Sequence, residues 1–377
     1  MLFFLLRAIA RLGDFSASDP EVSGWEAAWL GDVDGDRVPE IALLTWCEPV
    51  NPALRDWGVL RVLSGASGAT LETFRDLGTQ GSVENRIGPA GDMDGDGREE
   101  LWWMIGDREL RVGRLDSPRF ALDIEAGSRC TPLGDLDGDG CVDLRVTRFP
   151  VRPEGRSIET SLISGRSSAT LWSILESHGY PGPACRIADV NGDGIDDIAA
   201  ADSTTQVRVV SGRDGTLVHD LPLYVGDYGS LESLGDIDGD GAADLLHFKG
   251  WGSPVQILSA ADGRVLFSLP DRVDGAHSPG DLDGDGVSDI TCNNAMLKIF
   301  SGKDASLLCE VLGSAGGGRG DWNGDGCADV LLIHNLEFWK RKEVPPNLWR
   351  KGRIEVMSGK DGSILKTFDE SVLPPLE

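Results

Sequence analysis

Short apolar runs, each opened by an acidic residue, recur along this chain: EIALLT (40–45), ELWWMI (100–105), DLRVTRF (143–149), DIAAAD (197–202), DLLHFK (244–249), DITCNN (289–294) and DVLLIH (329–334). Each reads as a β-strand. A half-alternating strand follows and runs into a Ser-Gly turn, as in VLRVLSG (59–65), QVRVVSG (206–212), MLKIFSG (296–302) and RIEVMSG (353–359). A further short run comes next, such as TLVHDL (216–221), RVLFSL (264–269) or SILKTF (363–368). The turns SGRDG (211–215) and SGKDG (358–362) between two such runs are hairpin signals. The second repeat departs, with VGRLDSP (112–118) in place of the Ser-Gly turn. Counting one strand ahead of each acidic residue, every repeat predicts four short antiparallel strands.

The first two strands of each repeat are joined by the same acidic loop. The copies are GDVDGDRVPE (31–40), GDMDGDGREE (91–100), GDLDGDGCVD (134–143), ADVNGDGIDD (188–197), GDIDGDGAAD (235–244), GDLDGDGVSD (280–289) and GDWNGDGCAD (320–329). Successive first aspartates are 60, 43, 54, 47, 45 and 40 residues apart. Such a period belongs to propellers and solenoids, and no distinct polar capping repeat stands at either end. Four-stranded units arranged radially leave only short edges. The chain therefore predicts an all-β fold, a seven-bladed β-propeller of four-stranded antiparallel blades with a calcium loop in each blade. Blade one should begin near Trp25 and blade seven end near Phe368. The propeller then occupies residues 25–369, with an N-terminal segment 1–24 and a tail 370–377.

The loop has the residue order of a calcium site, because calcium takes six to eight oxygens at flexible geometry. Position 1 is Asp32, Asp92, Asp135, Asp189, Asp236, Asp281 and Asp321. Position 3 is Asp34, Asp94, Asp137, Asn191, Asp238, Asp283 and Asn323; the two asparagines keep an oxygen ligand but lower the site charge. Position 5 is Asp36, Asp96, Asp139, Asp193, Asp240, Asp285 and Asp325. The backbone carbonyl at position 7 would come from Val38, Arg98, Cys141, Ile195, Ala242, Val287 and Cys327. Position 9 closes the shell with Glu40, Glu100, Asp143, Asp197, Asp244, Asp289 and Asp329, and also opens the next strand. A sharp turn falls at position 6, where glycine adopts positive φ without steric cost. Arg37 holds that place in the first loop, and Pro39 stands beside its closing Glu40, so of up to seven calcium sites the first is expected to be the weakest.

The loops reinterpret the charge. The formal net charge is −27, and 26 of the 62 acids sit at loop positions 1, 3, 5 and 9. Seven divalent ions would offset about half of that charge, so the acidity is mostly ligand inventory. It also argues against nucleic-acid binding, which needs a concentrated basic footprint. Seven cysteines, an odd number, show no framework spacing. Cys130 and Cys141 flank the third loop and are either a bridge across it or two small buried hydrophobes. The opening MLFFLLRAIARLGDFSAS (1–18) is too short and too interrupted for a membrane span; it reads as a degenerate export signal or a short amphipathic helix. Calcium shells of this kind suit the high free calcium outside cells, which points to an extracellular or cell-envelope location.

The loops, strands and Ser-Gly hairpins over about residues 25–369 resemble the FG-GAP or integrin-α-like repeat family, without an intact Phe-Gly…Gly-Ala-Pro signature. The resemblance implies a calcium-dependent extracellular adhesion or recognition scaffold. Strand order puts the acidic loops and Ser-Gly turns on one face of the disc. The variable loops lie on the other: 45–58, 148–157, 248–254 and 335–353. The last carries Trp339, Lys340, Arg341, Lys342, Trp349, Arg350, Lys351 and Arg353, a basic and aromatic set suited to a protein or anionic glycan partner, or else a solvated loop packing on its own blade. Arg319-Gly320-Asp321 spells an adhesion tripeptide, but a carboxylate ligating calcium is not free for a receptor. A propeller enzyme acting on polysaccharide, a lyase or hydrolase, is the alternative. It requires a convergent acid/base set, and the histidines (178, 219, 247, 277, 334) share no motif context. A histidine beside a carboxylate in the central channel would favour it.

Overall fold

In a computed structural model the chain forms seven four-stranded antiparallel sheets, each built from consecutive strands except in blade three, where a small hairpin, Val151–Arg152 with Gly155–Arg156, lies between the second and third strands. The structure describes residues 22–47, 59–74, 87–105, 109–123, 129–148, 151–152, 155–156, 158–176, 182–201, 206–226, 229–293, 296–334 and 353–368. Blade one opens with Val22–Gly31, three residues ahead of Trp25, and blade seven ends with Ile364–Phe368. The innermost strands of the blades between are Ile87–Gly91, Arg129–Gly134, Ala184–Arg186, Ser230–Gly235 and Gly275–Gly280, and that of blade seven is the short Ser314–Ala315. The innermost strands of blades one to six neighbour one another in order, while Ser314–Ala315 meets the second strand of blade six, Asp289–Asn293, and Val22–Gly31 meets the second strand of blade seven, Asp329–His334, so the blades ring an axis.

The apolar runs do not alternate, because the second strand of each blade is covered on both faces. Glu100–Ile105, Asp244–Phe248 and Asp329–His334 are buried almost throughout. Their side chains feed seven separate core clusters, and each cluster is one blade-to-blade interface. Trp103 of blade two meets Leu60 and Val62 of blade one, and Phe248 of blade five meets Ile290 and Phe300 of blade six. A propeller has no single core. Its stability is the sum of neighbouring contacts, and it depends on the last contact being made.

That contact joins blade seven to blade one. Trp29, Leu43 and Ile41 pack with Leu331, Ile333 and Phe368. The backbones also meet: Trp29 N donates to Gly317 O at 3.0 Å and Gly317 N to Ala27 O at 2.9 Å. The Trp29 indole Nε1 donates to Asp329 O at 3.1 Å. Gly316, Gly317, Gly318 and Gly320 permit this approach, since a Cβ at Gly320 would lie 2.7 Å from the Trp29 ring. The ring thus closes through Val22–Gly31 itself, and residues 1–21 lie outside the described residues.

Candidate metal sites

All seven acidic loops take one conformation. In the third, Asp135 Oδ1 accepts from Gly138 N at 2.7 Å and Asp139 N at 3.1 Å, while Oδ2 accepts from Gly140 N at 2.8 Å. The position-5 carboxylate caps the amide at position 7, as Asp139 does for Cys141 N at 2.8 Å. The position-9 acid turns back to the amide at position 2, as Asp143 does for Leu136 N at 2.8 Å. The same bonds recur in the other loops, from Gly35 N on Asp32 to Gly324 N on Asp321. Backbone amides thus hold carboxylates of like charge together before any cation is considered.

The carboxylates converge. In five loops the ligand atoms lie within 4.8 Å of one another: Asp32/Asp34/Asp36/Glu40, Asp92/Asp94/Asp96, Asp135/Asp137/Asp143, Asp236/Asp238/Asp244 and Asp281/Asp283/Asp285. The fourth and seventh carry Asn191 and Asn323, whose side-chain oxygens accept from Asp193 N at 2.8 Å and Asp325 N at 2.9 Å. Position 6 has positive φ throughout, including Arg37 at 72°, which adopts the left-handed turn made elsewhere by glycine. For a non-glycine residue that conformation costs about 1–2 kcal/mol.

The closing acid differs from the rest because it is buried: Glu40, Asp143, Asp197, Asp244, Asp289 and Asp329 are fully covered and Glu100 nearly so. In blades three, six and seven it ties the loop to the Ser-Gly turn. Asp143 Oδ1 accepts from Gly165 N at 3.1 Å, Asp289 Oδ1 from Gly302 N at 3.1 Å and Asp329 Oδ1 from Gly359 N at 3.2 Å. The glycine is required, since a Cβ at Gly302 would meet Ser288 O at 1.9 Å and one at Gly165 would meet Val142 O at 2.1 Å. The Glu40 Oε1, Glu100 Oε1 and Asp244 Oδ1 atoms are buried with no hydrogen-bond donor. Burial raises the closing carboxyls, to about 7 for Glu40 and about 6 for Asp143, Asp244 and Asp289. Asp193 and Asp325 at position 5 are held low: at Asp193 desolvation is the largest single cause but is outweighed by the bonds from Ile195 N, Ser211 and Asn191 together with the Arg213 charge, and at Asp325 the bond from Cys327 N leads. A cluster of oxygen donors, with buried oxygens still lacking a partner, fits a hard divalent cation such as calcium.

Sequence reasoning missed the basic residues over the loops. Arg166, Arg213, Lys303 and Lys360 follow their Ser-Gly pairs and lie 3.5–3.9 Å from the position-5 aspartate of the same blade. The turn serine joins them, as Ser211 Oγ donates to Asp193 Oδ2 at 3.0 Å. The signal was present in the SGR and SGK triplets. Strand order already put turn and loop on one face, but only the structure brings these cations within ion-pair distance of position 5.

Other candidate residues divide. Cys130 and Cys141 are free thiols, so there is no bridge across the third loop: Cys141 Sγ donates to Met93 O at 2.8 Å, and Cys130 packs on the blade-two/three core. Both ends of the Arg319-Gly320-Asp321 tripeptide are occupied. Asp321 caps Gly324, Asp325 and Gly326, and Arg319 Nη2 donates to Ser233 O at 3.2 Å. Of the basic and aromatic set, Trp339, Lys340, Arg341, Lys342, Trp349, Arg350 and Lys351 lie outside the described residues. Arg353 opens a strand and pairs with buried Glu355 at 2.7 Å, which also holds His334 Nε2 at 2.6 Å. His247 Nε2 lies 2.9 Å from Tyr224 O. On the inner strands, His277 Nδ1 lies 3.0 Å from Glu232 Oε1, whose other oxygen accepts from Ser278 N at 2.8 Å.

These features define the chain as a seven-bladed β-propeller with an acidic loop in every blade. No family model matches it, and no curated protein matches it in sequence. Among solved structures it is similar to BBS1N, crystallised in complex with ARL6DN. In one lead-soaked crystal the TM-score is 0.52 at 11% identity, covering 94% of this chain and 93% of that one. A mercury-soaked crystal of the same complex gives 0.54 at 13% identity, covering 85% and 93%. The WD40 β-propeller domain of Doa1 has a TM-score of 0.47 at 12% identity, covering 82% of this chain and 92% of that one. At such identities the likeness is one of fold. Among the described residues, no helix is long and apolar enough to cross a membrane.

Proposed function

We propose that this chain is a calcium-stabilised propeller of the FG-GAP or integrin-α-like kind, acting outside the cell or in its envelope as a binding scaffold for a protein or anionic glycan. The observation that supports this most is the repetition of one preorganised acidic loop in every blade, with ligand oxygens converging in five of them and the buried closing acid bonded to the hairpin glycine in blades three, six and seven. Calcium would neutralise carboxylates that burial otherwise disfavours. The chain's amides, turn serines and glycines orient those carboxylates beforehand. That the similar propeller BBS1N is seen in complex with a protein fits a scaffold role.

The test is a thermal melt of the metal-stripped protein against added calcium. Metal bound only by the folded state stabilises it by about 2.7 kcal/mol per site at a hundredfold excess over Kd, and several sites compound. A large calcium-dependent rise in Tm is expected, and a melt indifferent to calcium would sink the reading.

The Glu232–His277 pair favours a second reading, a polysaccharide lyase or hydrolase, because it places a histidine beside a carboxylate on the inner strands. In that role Glu232 would orient the imidazole and His277 would move the proton. Cleavage of a polyuronide that is lost in His277→Ala, with Tm unchanged, would support it.

A further inference from the structure

Among the described residues, the large exposed apolar side chains fall into two groups. The aliphatic ones, such as Leu71, Leu217, Leu307 and Ile364, sit on the outermost strands of their blades. The two aromatic ones, Tyr224 (41% exposed) and Trp251 (45% exposed), lie off those outermost strands. Tyr224 lies in the connection from blade four to blade five. Trp251 lies in the turn between the second and third strands of blade five, Asp244–Phe248 and Ser253–Ser259. Strand direction puts both on the face opposite the acidic loops.

Lys249 joins them. Its Nζ lies 5.3 Å from the centre of the Tyr224 ring, and it is two residues from Trp251 in the same tight turn. The backbone beneath is fastened at four points. Gly226 N donates to Lys249 O at 3.0 Å, Ser253 N to Gly250 O at 3.0 Å and Gly252 N to Val273 O at 2.9 Å, and the His247 ring meets Tyr224 O. Two exposed aromatic rings and a cation are therefore displayed on a rigid corner. Large exposed aromatics on a fixed backbone lose little conformational entropy when covered, which is the usual economy of a binding surface.

We propose that this corner, Tyr224–Lys249–Trp251, is a binding subsite for an acidic polysaccharide. The proposal rests on the scaffold reading above and gives it a location and a ligand class. The aromatic rings present apolar faces to the C–H faces of sugar rings, and Lys249 pairs with a carboxylate or sulfate. With a net charge of −27, the protein repels a polyanion in general, so such a ligand must dock where a cation stands clear of the acidic loops. Lys249 is on the opposite face from all seven loops.

The experiment is calorimetric titration of the full chain, in millimolar calcium, with oligosaccharides of heparin, hyaluronan and neutral dextran. Heparin or hyaluronan should bind and dextran should bind at least about tenfold more weakly, the lost charge pairing setting the difference. Trp251→Ala should weaken the acidic ligand about tenfold, and Lys249→Gln should weaken it severalfold and flatten its salt dependence. Tm confirms that each variant folds, and Lys249→Gln alters only an exposed side chain. Unchanged binding in both variants would place the ligand elsewhere and overturn the subsite while leaving the scaffold reading intact. Equal affinity for dextran, or no saccharide binding by the wild type, also overturns it; the calcium melt then judges the scaffold reading separately.

Discussion

Arg264 bonds through Nη2 to Asp238 Oδ2, at position 3 of loop five, whereas Arg166, Arg213, Lys303 and Lys360 stand over position 5 of their own loops. The sequence explains the difference. Blade five reads Ser-Ala-Ala-Asp-Gly-Arg where blades three, four, six and seven read Ser-Gly followed at once by a cation, so its guanidinium arrives three residues later. A metal entering loop five must displace or tolerate this arginine. Loop five is therefore expected to fill late in a calcium titration followed by native mass spectrometry, and Arg264→Ala should tighten it by up to about tenfold. No change in the last binding steps of that variant would count against the idea.

Loop one should also fill late, for a different reason. Arg37 is held at φ 72°, so the turn is strained before metal binds. Arg37→Gly should relieve that strain and raise the affinity of the Asp32 loop by severalfold, about 1 kcal/mol. Equal tightness of the Asp32 and Asp135 loops in the wild type would contradict the argument.

The closing acids set a pH dependence. Their folded-state values, about 7 for Glu40 and about 6 for Asp143, Asp244 and Asp289, lie above the ordinary carboxyl values. The folded metal-free protein therefore binds these protons more tightly than the unfolded chain. That stabilisation is complete below the ordinary carboxyl range and is lost as pH rises through 6 to 7. The lowered Asp193 and Asp325 are ionised across this window and add no slope. Stripped of metal, the protein should melt at a higher temperature at pH 5 than at pH 8. Calcium, which needs the ionised form, should flatten or reverse that trend. A stripped protein whose Tm climbs steadily over the same range would refute the assignment.

Ring closure is a single point of failure. Trp29 packs against Leu331, Ile333 and Phe368 and bonds Asp329 O, so Trp29→Ala should cost about 3–5 kcal/mol. Trp29→Phe keeps most of the packing and loses the indole bond, for about 1–2 kcal/mol. Denaturant melts of the two variants separate packing from hydrogen bonding.

The Ser-Gly turns offer a last test. A Cβ at Gly165 would clash with Val142 O, so Gly165→Ala must push the turn off Asp143. A loss of about 1–3 kcal/mol is expected, together with weaker calcium binding at loop three. Gly362→Ala, at a turn with nothing within 4 Å, is strained only by its φ of 71° and should leave calcium binding unaltered.

The propeller was legible in the sequence because the blades repeat the same local rules: an oxygen-rich loop, a strand buried on both faces and, in five of the seven, a Ser-Gly hairpin. Seven recurrences of Asp at positions 1 and 5 determined the blade count and the positions of the candidate ligands. What the sequence could not contain was the relation between distant segments. That Trp29 closes the ring on Asp329, that Arg264 lies on Asp238, and that Tyr224 and Trp251 share a corner with Lys249 are products of packing between strands 20 to 300 residues apart. Nor could it say that His277 meets Glu232, since those residues belong to blades whose side chains meet only when the inner strands gather round the axis. Local chemistry determined each blade, and only the closed ring decided which of its residues face one another.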